Sequence, residues 1–334
     1  MAYGLVPRQM LVLRGLTRMF RVVLVPVAGL AVGGGPEPPA PVPLEVVQPV
    51  LVLDGLDGPD LPKSLPKRLQ LRITASTFLG RKSRLGSGNV VVLLFGKIAK
   101  LDVPADELAA MEFVRTHTSI PVPRILEIHD LQPSGSAHIV MTSIPGCDVS
   151  DLLPTMTPAQ VSSVIKELAG YLKQMRSLEI TFLEGGSSKV GGVGGTKGFD
   201  HRLGSSRCWG PFATLSEFHT HIRFGEPVED WVHEPDVMAV HQTLYTLKFT
   251  HADIHPGNIR VDPKTYRITG IVDWEFAGWY PEYWEYTKMF YGGERPGYKK
   301  RVDAIEAEEG IYKYKLERRA EAAIWLRAGP FGYT

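Results

Sequence analysis

Two aspartates and an asparagine carry the strongest chemical signal in this sequence. Asp253 lies within His251–Asn258, Asn258 follows it by five positions, and Asp273 comes directly after the apolar run 268–272. A metal held by a carboxylate and an amide oxygen neutralises phosphate charge, while a free carboxylate accepts the proton of an attacking hydroxyl. The spacing therefore predicts phosphoryl transfer, with Asp253 as the catalytic base and Asn258 and Asp273 as metal ligands.

The residues around this motif resemble the aminoglycoside phosphotransferase family, and within it the fungal branch. The resemblance spans residues 85–292 and rests on five segments: Phe113–Pro123, Trp209–Phe212, His251–Asn258, Ile271–Gly278 and Gly278–Tyr286. It implies an α+β, bilobal protein-kinase-like fold, with a small antiparallel-sheet lobe and a mainly helical large lobe. It also implies a phosphotransferase that uses ATP and Mg²⁺ and phosphorylates a hydroxyl group of a small molecule. Ala252 stands where the family usually has Gly, and its methyl group is expected to crowd the catalytic loop.

Two other functions are open at this point. His251, Asp253 and His255 alternate in an H-x-D-x-H pattern that a metallohydrolase could use to bind zinc or manganese. A hydrolytic site needs further ligands, and the other histidines form no comparable cluster, so the phosphotransferase is favoured, with His251 and His255 supporting the catalytic loop. The second alternative is a non-catalytic, nucleotide-binding protein of the same fold.

A candidate phosphate-binding pair lies in the small lobe. Residues 90–101 are rich in β-branched residues and predict a β-hairpin, with Lys100 late in its second strand. The resemblance implies that this lysine holds the ATP phosphates and is itself held by Glu107, near the start of the next helix. Lys97 and Glu112 are the near alternatives.

The remaining nucleotide contacts are predicted on both sides of that pair. Gly86 and Gly88 precede the hairpin and are interpreted as an abbreviated phosphate loop. A second hairpin ends at Met141, and Thr142 and Ser143 begin the hinge, where backbone groups would bind adenine.

The large lobe is predicted to be helical. Thr157 and Pro158 form a helix start, and further helices are expected over Ser216–Phe224 and Pro235–Leu247. The acid-rich segment Gly225–Asp236 has two interpretations: it attracts a cationic substrate, or it is a solvated loop.

Composition excludes some classes of partner. The chain has 334 residues, 44% of them hydrophobic, and a net charge of +1, so nothing favours nucleic acid as a partner. Its two cysteines, Cys147 and Cys208, fit no disulfide framework or zinc motif, which favours a reducing compartment such as the cytoplasm.

Three regions are predicted: an extension over 1–65, a small nucleotide-binding lobe with the hinge over 66–146, and a large catalytic lobe over 147–334. The extension has no acidic residue through Pro36, carries several arginines and then five prolines in 36–43. It is interpreted as disordered, as a product of imperfect gene modelling or as a targeting peptide, either mitochondrial, which makes mitochondria the alternative location, or secretory with Val22–Val32 as its apolar core. Its apolar run Val22–Val32 contains Pro26 and is too short to span a membrane.

Overall fold

The structure is a computed structural model that describes residues 69, 89–129, 136–179, 189–200, 202, 208–291 and 296–328. The extension 1–65 and the predicted phosphate-loop residues Gly86 and Gly88 lie outside these residues. The chain divides into two compact units, one of residues 1–85 and 91–94, the other of residues 86–90 and 95–334. Lys100, Glu107, Asp253, Asn258 and Asp273 all belong to the second unit.

The elements are named here in chain order. The strands are β1 (Val90–Leu93), β2 (Lys97–Pro104), β3 (Ile125–His129), β4 (Ser136–Thr142), β5 (Cys147–Asp148), β6 (Gly191–Gly192), β7 (Leu247–Thr250), β8 (Ile259–Val261), β9 (Ile268–Ile271) and β10 (Gly278–Pro281). The α-helices are α1 (Ala105–His117), α2 (Val149–Leu152), α3 (Pro158–Ser177), α4 (Leu215–Ile222), α5 (Pro235–His241), α6 (Trp284–Lys288), α7 (Tyr298–Ala307) and α8 (Lys315–Ala328).

An antiparallel sheet and one helix position the candidate phosphate-binding pair. Strands β2, β4 and β3 are neighbours in that order, and Lys100 of β2 lies opposite Ile139 of β4. Pro104 ends β2 and is the N-cap residue of α1. The acidic residues Asp106 and Glu107 fall in the first turn of α1, where they favour the positive end of the helix dipole. Glu107 is on the buried face of α1, so the helix carries a carboxylate into the interior.

The helices of the large lobe begin largely where the sequence predicts. Helix α3 starts with a capping box: Thr157 Oγ1 accepts from Gln160 N at 3.3 Å, and Gln160 Oε1 accepts from Thr157 N at 2.8 Å. The helix predicted over 235–247 is too long, because α5 ends at His241 and Leu247–Thr250 is strand β7.

Two small antiparallel sheets hold the catalytic segments. In one, β10 pairs with both β6 and β7; in the other, β8 pairs with β5 and β9, with Ile259 opposite Ile271. The catalytic loop 251–258 connects β7 to β8, and Asp273 lies just beyond the end of β9. Short strands that pair directly therefore bring the two predicted catalytic segments to neighbouring positions. Within the described part of the chain, none of the helices is long and apolar enough to cross a membrane.

Candidate active site

The structure joins the catalytic loop to the segment that carries Asp273. Asn258 Nδ2 donates to the carbonyl oxygen of Asp253 at 3.0 Å and to its Oδ2 at 2.9 Å. Val272 N donates to the Asn258 carbonyl at 3.0 Å, and Asp273 is the next residue. The Asn258 amide nitrogen is thus committed to Asp253, and the amide oxygen is the atom left to face a cation.

A buried ammonium group links this region to the small lobe. Lys100 Nζ donates to Glu107 at 2.8 Å and 2.9 Å and to Asp273 Oδ1 at 2.7 Å, although Lys100 and Asp273 are 173 residues apart in sequence. Burial would lower the pKa of Lys100, but the two carboxylates outweigh it and raise the pKa above its ordinary value. Lys100 therefore stays cationic. Glu112, the near alternative, is exposed and accepts instead from Arg115 Nε at 2.9 Å.

A third carboxylate belongs to this region and was not singled out from the sequence. Among the described residues, Glu107, Asp273 and Glu275 form a group in which one ligand atom from each lies within 4.8 Å of the others. Burial and the neighbouring charge of Asp273 raise the pKa of Glu275 to about 7. The sequence signal was the acidic residue two positions after Asp273. Carboxylate and amide oxygens are the donors that magnesium prefers, so the residues present fit that ion.

The two histidines of the catalytic loop are structural. His251 is fully buried, and burial lowers its pKa to about 4, so it is neutral. Its Nε2 donates to the Val272 carbonyl at 3.0 Å, and its Nδ1 accepts from Asp253 N at 3.2 Å. Both ring nitrogens already have hydrogen-bond partners, which counts against His251 as a metal ligand and against the metallohydrolase interpretation. His255 Nδ1 accepts from Gly257 N at 3.0 Å, which tightens the loop.

Asp253 is held as a carboxylate. Burial opposes its charged form, but a hydrogen bond with His255 and the nearby Lys288 outweigh burial and lower its pKa below the usual value. The side chain is 17% exposed, so one part of the carboxylate can still meet a ligand. An ionised, partly accessible carboxylate is what a general base requires.

Glu285 anchors the backbone of the catalytic loop, a role that nothing in the sequence indicated. Its Oε2 accepts from His251 N at 2.6 Å and from Ala252 N at 3.3 Å. These two N–H groups are buried, and a buried N–H without a partner is costly. Burial raises the pKa of Glu285 to about 7, even though both hydrogen bonds favour its ionised form.

Ala252 has a left-handed backbone conformation, with φ +59°. The residue is completely buried. Glycine adopts this conformation without the steric penalty that a Cβ brings, which gives a physical reason for the family's usual Gly. The consequence of Ala252 is therefore backbone strain, in addition to the crowding expected from its methyl group.

The backbone N–H groups of the predicted hinge already have hydrogen-bond partners within the protein. Thr142 N donates to the Arg124 carbonyl at 3.0 Å, and Ser143 N donates to the Gly96 carbonyl at 2.8 Å. Met141 is buried in the sheet opposite Ile98. The amide groups of Thr142 and Ser143 are thus committed to the protein, and carbonyls or the backbone after Ser143 would have to contact adenine.

The acid-rich segment 225–236 packs against α8. Glu226 Oε2 lies 3.3 Å from Arg327 Nη2, and Arg319 Nε donates to Asp236 Oδ2 at 2.7 Å. The Arg327 guanidinium also lies 4.3 Å from the ring centre of the buried Trp231. These pairs neutralise part of the segment's charge, so attraction of a cationic substrate is not its simplest role.

Comparisons with known proteins identify the family and the fold. A model of the phosphotransferase enzyme family matches residues 81–321, whereas no curated protein matches the sequence. The apo form of a thermostable mutant of aminoglycoside phosphotransferase APH(4)-Ia has a TM-score of 0.51 at 16% identity, over 70% of this chain and 79% of its own. This likeness confirms the α+β, protein-kinase-like fold.

Two further structures are similar at lower scores. Aminoglycoside-3'-phosphotransferase of type VIII has a TM-score of 0.46 at 15% identity, over 76% of this chain and 98% of its own. Aminoglycoside phosphotransferase APH(3'')-Id from Streptomyces rimosus, in complex with ADP and streptomycin, has a TM-score of 0.43 at 16% identity, over 70% of this chain and 88% of its own.

The strain at Ala252 has a measurable consequence. Ala252→Gly is expected to raise the free energy of unfolding by up to about 1 kcal/mol, because relief of the left-handed strain exceeds the greater freedom of Gly in the unfolded chain. Ala110→Gly, within α1, is expected to lower it by about 1 kcal/mol or more. Chemical denaturation measures both. Equal losses in the two variants would contradict the strain at Ala252.

The buried carboxyl group of Glu285 predicts a pH dependence of stability. The pKa in the folded chain is about 7, above the ordinary 4.5, so the folded chain binds this proton more tightly. The stabilisation is therefore complete below pH 4.5 and is lost as the pH rises through 7.

Glu285→Gln keeps an acceptor for both N–H groups and cannot ionise, so its melting temperature should fall less steeply over this pH interval. Glu309→Gln, at an exposed residue, is the matched control. Parallel melting curves for Glu285→Gln and the unsubstituted chain would rule out this titration.

Proposed function

We propose that this chain transfers the γ-phosphate of ATP to a hydroxyl group of a small molecule with the help of magnesium. The premise is that the chain belongs to the phosphotransferase enzyme family. The observation that carries this proposal is the contact of Lys100 with both Glu107 and Asp273. It brings a cation from the small lobe to the segment that hydrogen-bonds to the catalytic loop. A phosphate-binding cation and a candidate base thus belong to one connected site.

The nucleotide would be bound by charge. Lys100 would contact the phosphates, and Glu107 would fix the direction of its ammonium group. Asn258, Asp273 and Glu275 would hold magnesium, which supplies positive charge to the phosphate oxygens when it is bound. The backbone from Ser143 onward would contact the adenine.

Asp253 would receive the acceptor hydroxyl. Its Oδ2 is fixed by Asn258 Nδ2 at 2.9 Å, so the carboxylate has a defined direction. As the hydroxyl oxygen forms its bond to the γ-phosphorus, the hydroxyl proton passes to Asp253, the bond to the bridging oxygen breaks, and ADP leaves. A positioned base of this kind typically contributes on the order of 10²–10⁴ in rate.

The acceptor is defined only by class. The arginine pairs of segment 225–236 favour an anchoring role for its acidic residues, so they give no support to an amino-sugar in particular. A small molecule with an accessible hydroxyl is the acceptor that the proposed chemistry requires. The competing candidate is a non-catalytic nucleotide-binding protein, and the two experiments below separate it from an enzyme.

The first experiment tests magnesium and nucleotide together. ATP with magnesium should stabilise the unsubstituted chain by about 2.7 kcal/mol at a hundredfold excess over its dissociation constant. Asp273→Ala should lose the magnesium-dependent part, because a carboxylate that holds the metal is gone. Asp303→Ala, at an exposed residue of α7, should keep it. Thermal-shift measurements with and without magnesium read this out, and equal shifts for both variants would exclude Asp273 as a ligand.

The second experiment tests catalysis. Asp253→Asn should bind ATP normally and lose turnover by on the order of 10²–10⁴, because the amide cannot accept the hydroxyl proton. ATP affinity by calorimetry and ADP release with a library of small alcohols are the two measurements. If the unsubstituted chain binds ATP but releases no ADP with any acceptor or with water, the non-catalytic alternative is favoured.

A further inference from the structure

A second buried ammonium group lies behind the candidate base. Lys288 is the last residue of α6, and its side chain is only 2% exposed. Its Nζ lies 3.0 Å from Asp200 Oδ1 and 3.7 Å from Asp253 Oδ1. The same atom lies 5.0 Å from the ring centre of Phe276, a cation–π distance. Lys288 thus stands between one fully buried carboxylate and the carboxylate that would do the chemistry.

Asp200 is fixed from its other side. Arg202 donates to it through Nε at 3.1 Å and through Nη2 at 2.9 Å, and both residues are fully buried. Arg202 Nη1 donates to Glu321 Oε2 of α8 at 2.8 Å, and its guanidinium lies 3.8 Å from the ring centre of Trp284. The support behind Lys288 is therefore a connected group of buried side chains.

Lys288 contacts carboxylates on both of its sides. Arg202 pairs with both oxygens of Asp200, through Nε to Oδ1 at 3.1 Å and through Nη2 to Oδ2 at 2.9 Å, which is a strong arrangement for a guanidinium and a carboxylate. Because Arg202 is shared between Asp200 and Glu321, Lys288 is the second cation of this buried group, and Asp253 is a further carboxylate within ion-pair distance of it. Lys288 is thus anchored by Asp200 and at the same time presents its charge to the candidate base.

The contacts of Lys288 with Asp200 and with Asp253 are of different types. At 3.0 Å Lys288 hydrogen-bonds to Asp200, whereas 3.7 Å exceeds the length of a direct hydrogen bond and leaves an ion pair. The charge of Lys288 orients Oδ1 of Asp253 without occupying its lone pairs. Oδ2 is held by Asn258 Nδ2 at 2.9 Å and lies 3.5 Å from His255 Nε2, so the contact with Lys288 on Oδ1 completes the orientation of the carboxylate, and Oδ1 stays able to accept a proton.

We propose that Lys288 is a positioning residue for phosphoryl transfer: it holds the Asp253 carboxylate in its reactive orientation, and Asp200 and Arg202 hold Lys288 at the distance that this requires. The proposal rests on the function proposed above. It assigns Lys288 no contact with ATP or with the acceptor. Its loss should therefore reduce kcat and leave the KM for ATP unchanged.

The test compares two Lys→Met variants of the full chain, with ATP and magnesium and with water or a small alcohol as acceptor. Lys288→Met should lower kcat by on the order of 10²-fold, the effect of a misplaced reacting group, with an unchanged KM for ATP. Lys288→Arg, which keeps the charge, should recover part of kcat. Lys300→Met is the control, because Lys300 donates to the carbonyls of Leu153, Pro154 and Met156 and to no carboxylate of the site.

Lys300→Met should lower the melting temperature and keep kcat. Lys288→Gln, which keeps a donor toward Asp200 without the charge, replaces Lys288→Met if the latter does not fold, and the same loss of kcat is expected. An unchanged kcat in Lys288→Met or Lys288→Gln would overturn the positioning role. So would an equal loss of kcat in Lys300→Met.

A structural measurement keeps the proposal testable without turnover. In a crystal structure of the folded Lys288 variant, Oδ1 of the Asp253 carboxylate should move from its present position, while the carboxylate of Lys300→Met should not move. An unmoved carboxylate overturns the positioning role whatever the activity. Conversely, an unsubstituted chain with no turnover on any acceptor counts against the proposed function and leaves the structural comparison to decide on Lys288.

Discussion

The arrangement of the site depends on one buried ammonium group and its two carboxylates. Removing a lysine from water is costly, and good geometry with opposite charges is what offsets that cost. Lys100 satisfies the requirement with Glu107 from α1 and with Asp273 from the end of β9. Because both partners are needed, strand β2, helix α1 and the segment after β9 must take fixed relative positions. The positions of the groups that would contact the phosphates depend on these three residues.

The catalytic loop obeys a second constraint, which is the need to partner buried backbone groups. The loop runs through the interior at His251 and Ala252, and no strand or helix is available there to receive their N–H groups. One carboxylate oxygen of Glu285 receives both. The neutral ring of His251 then bridges the Asp253 amide and the Val272 carbonyl, so the loop is attached to the segment of Asp273. The strained φ of Ala252 is tolerated because these contacts fix the backbone on both sides.

Sequence reasoning succeeded where the chemistry is local and was incomplete where it depends on tertiary contacts. Asp253, Asn258 and Asp273 are close in sequence, and the strands between Asn258 and Asp273 pair directly. The sequence alone therefore indicated that these three residues lie near one another. Lys100 and Glu107 required the family resemblance, since many lysines occupy strands. The roles of Glu285 and Lys288 could not be inferred from the sequence, because charged residues in a helix are ordinarily exposed. The over-long helix at 235–247 has a similar cause: β7 is defined by its pairing with β10, not by its own four residues.

The charges around the site also bear on magnesium. Lys100 supplies one positive charge to a group that contains the carboxyls of Glu107, Asp273 and Glu275. That group carries excess negative charge unless one carboxyl keeps its proton. Burial and the charge of Asp273 raise the pKa of Glu275 to about 7, which favours the protonated form of that carboxyl. A divalent cation bound there would favour the ionised form of all three groups. Lys288, by contrast, balances Asp253 from the protein side. In the proposed mechanism the site thus contains two kinds of carboxylate: Asp273 and Glu275, which an added cation would neutralise, and Asp253, which already lies beside a lysine of the protein.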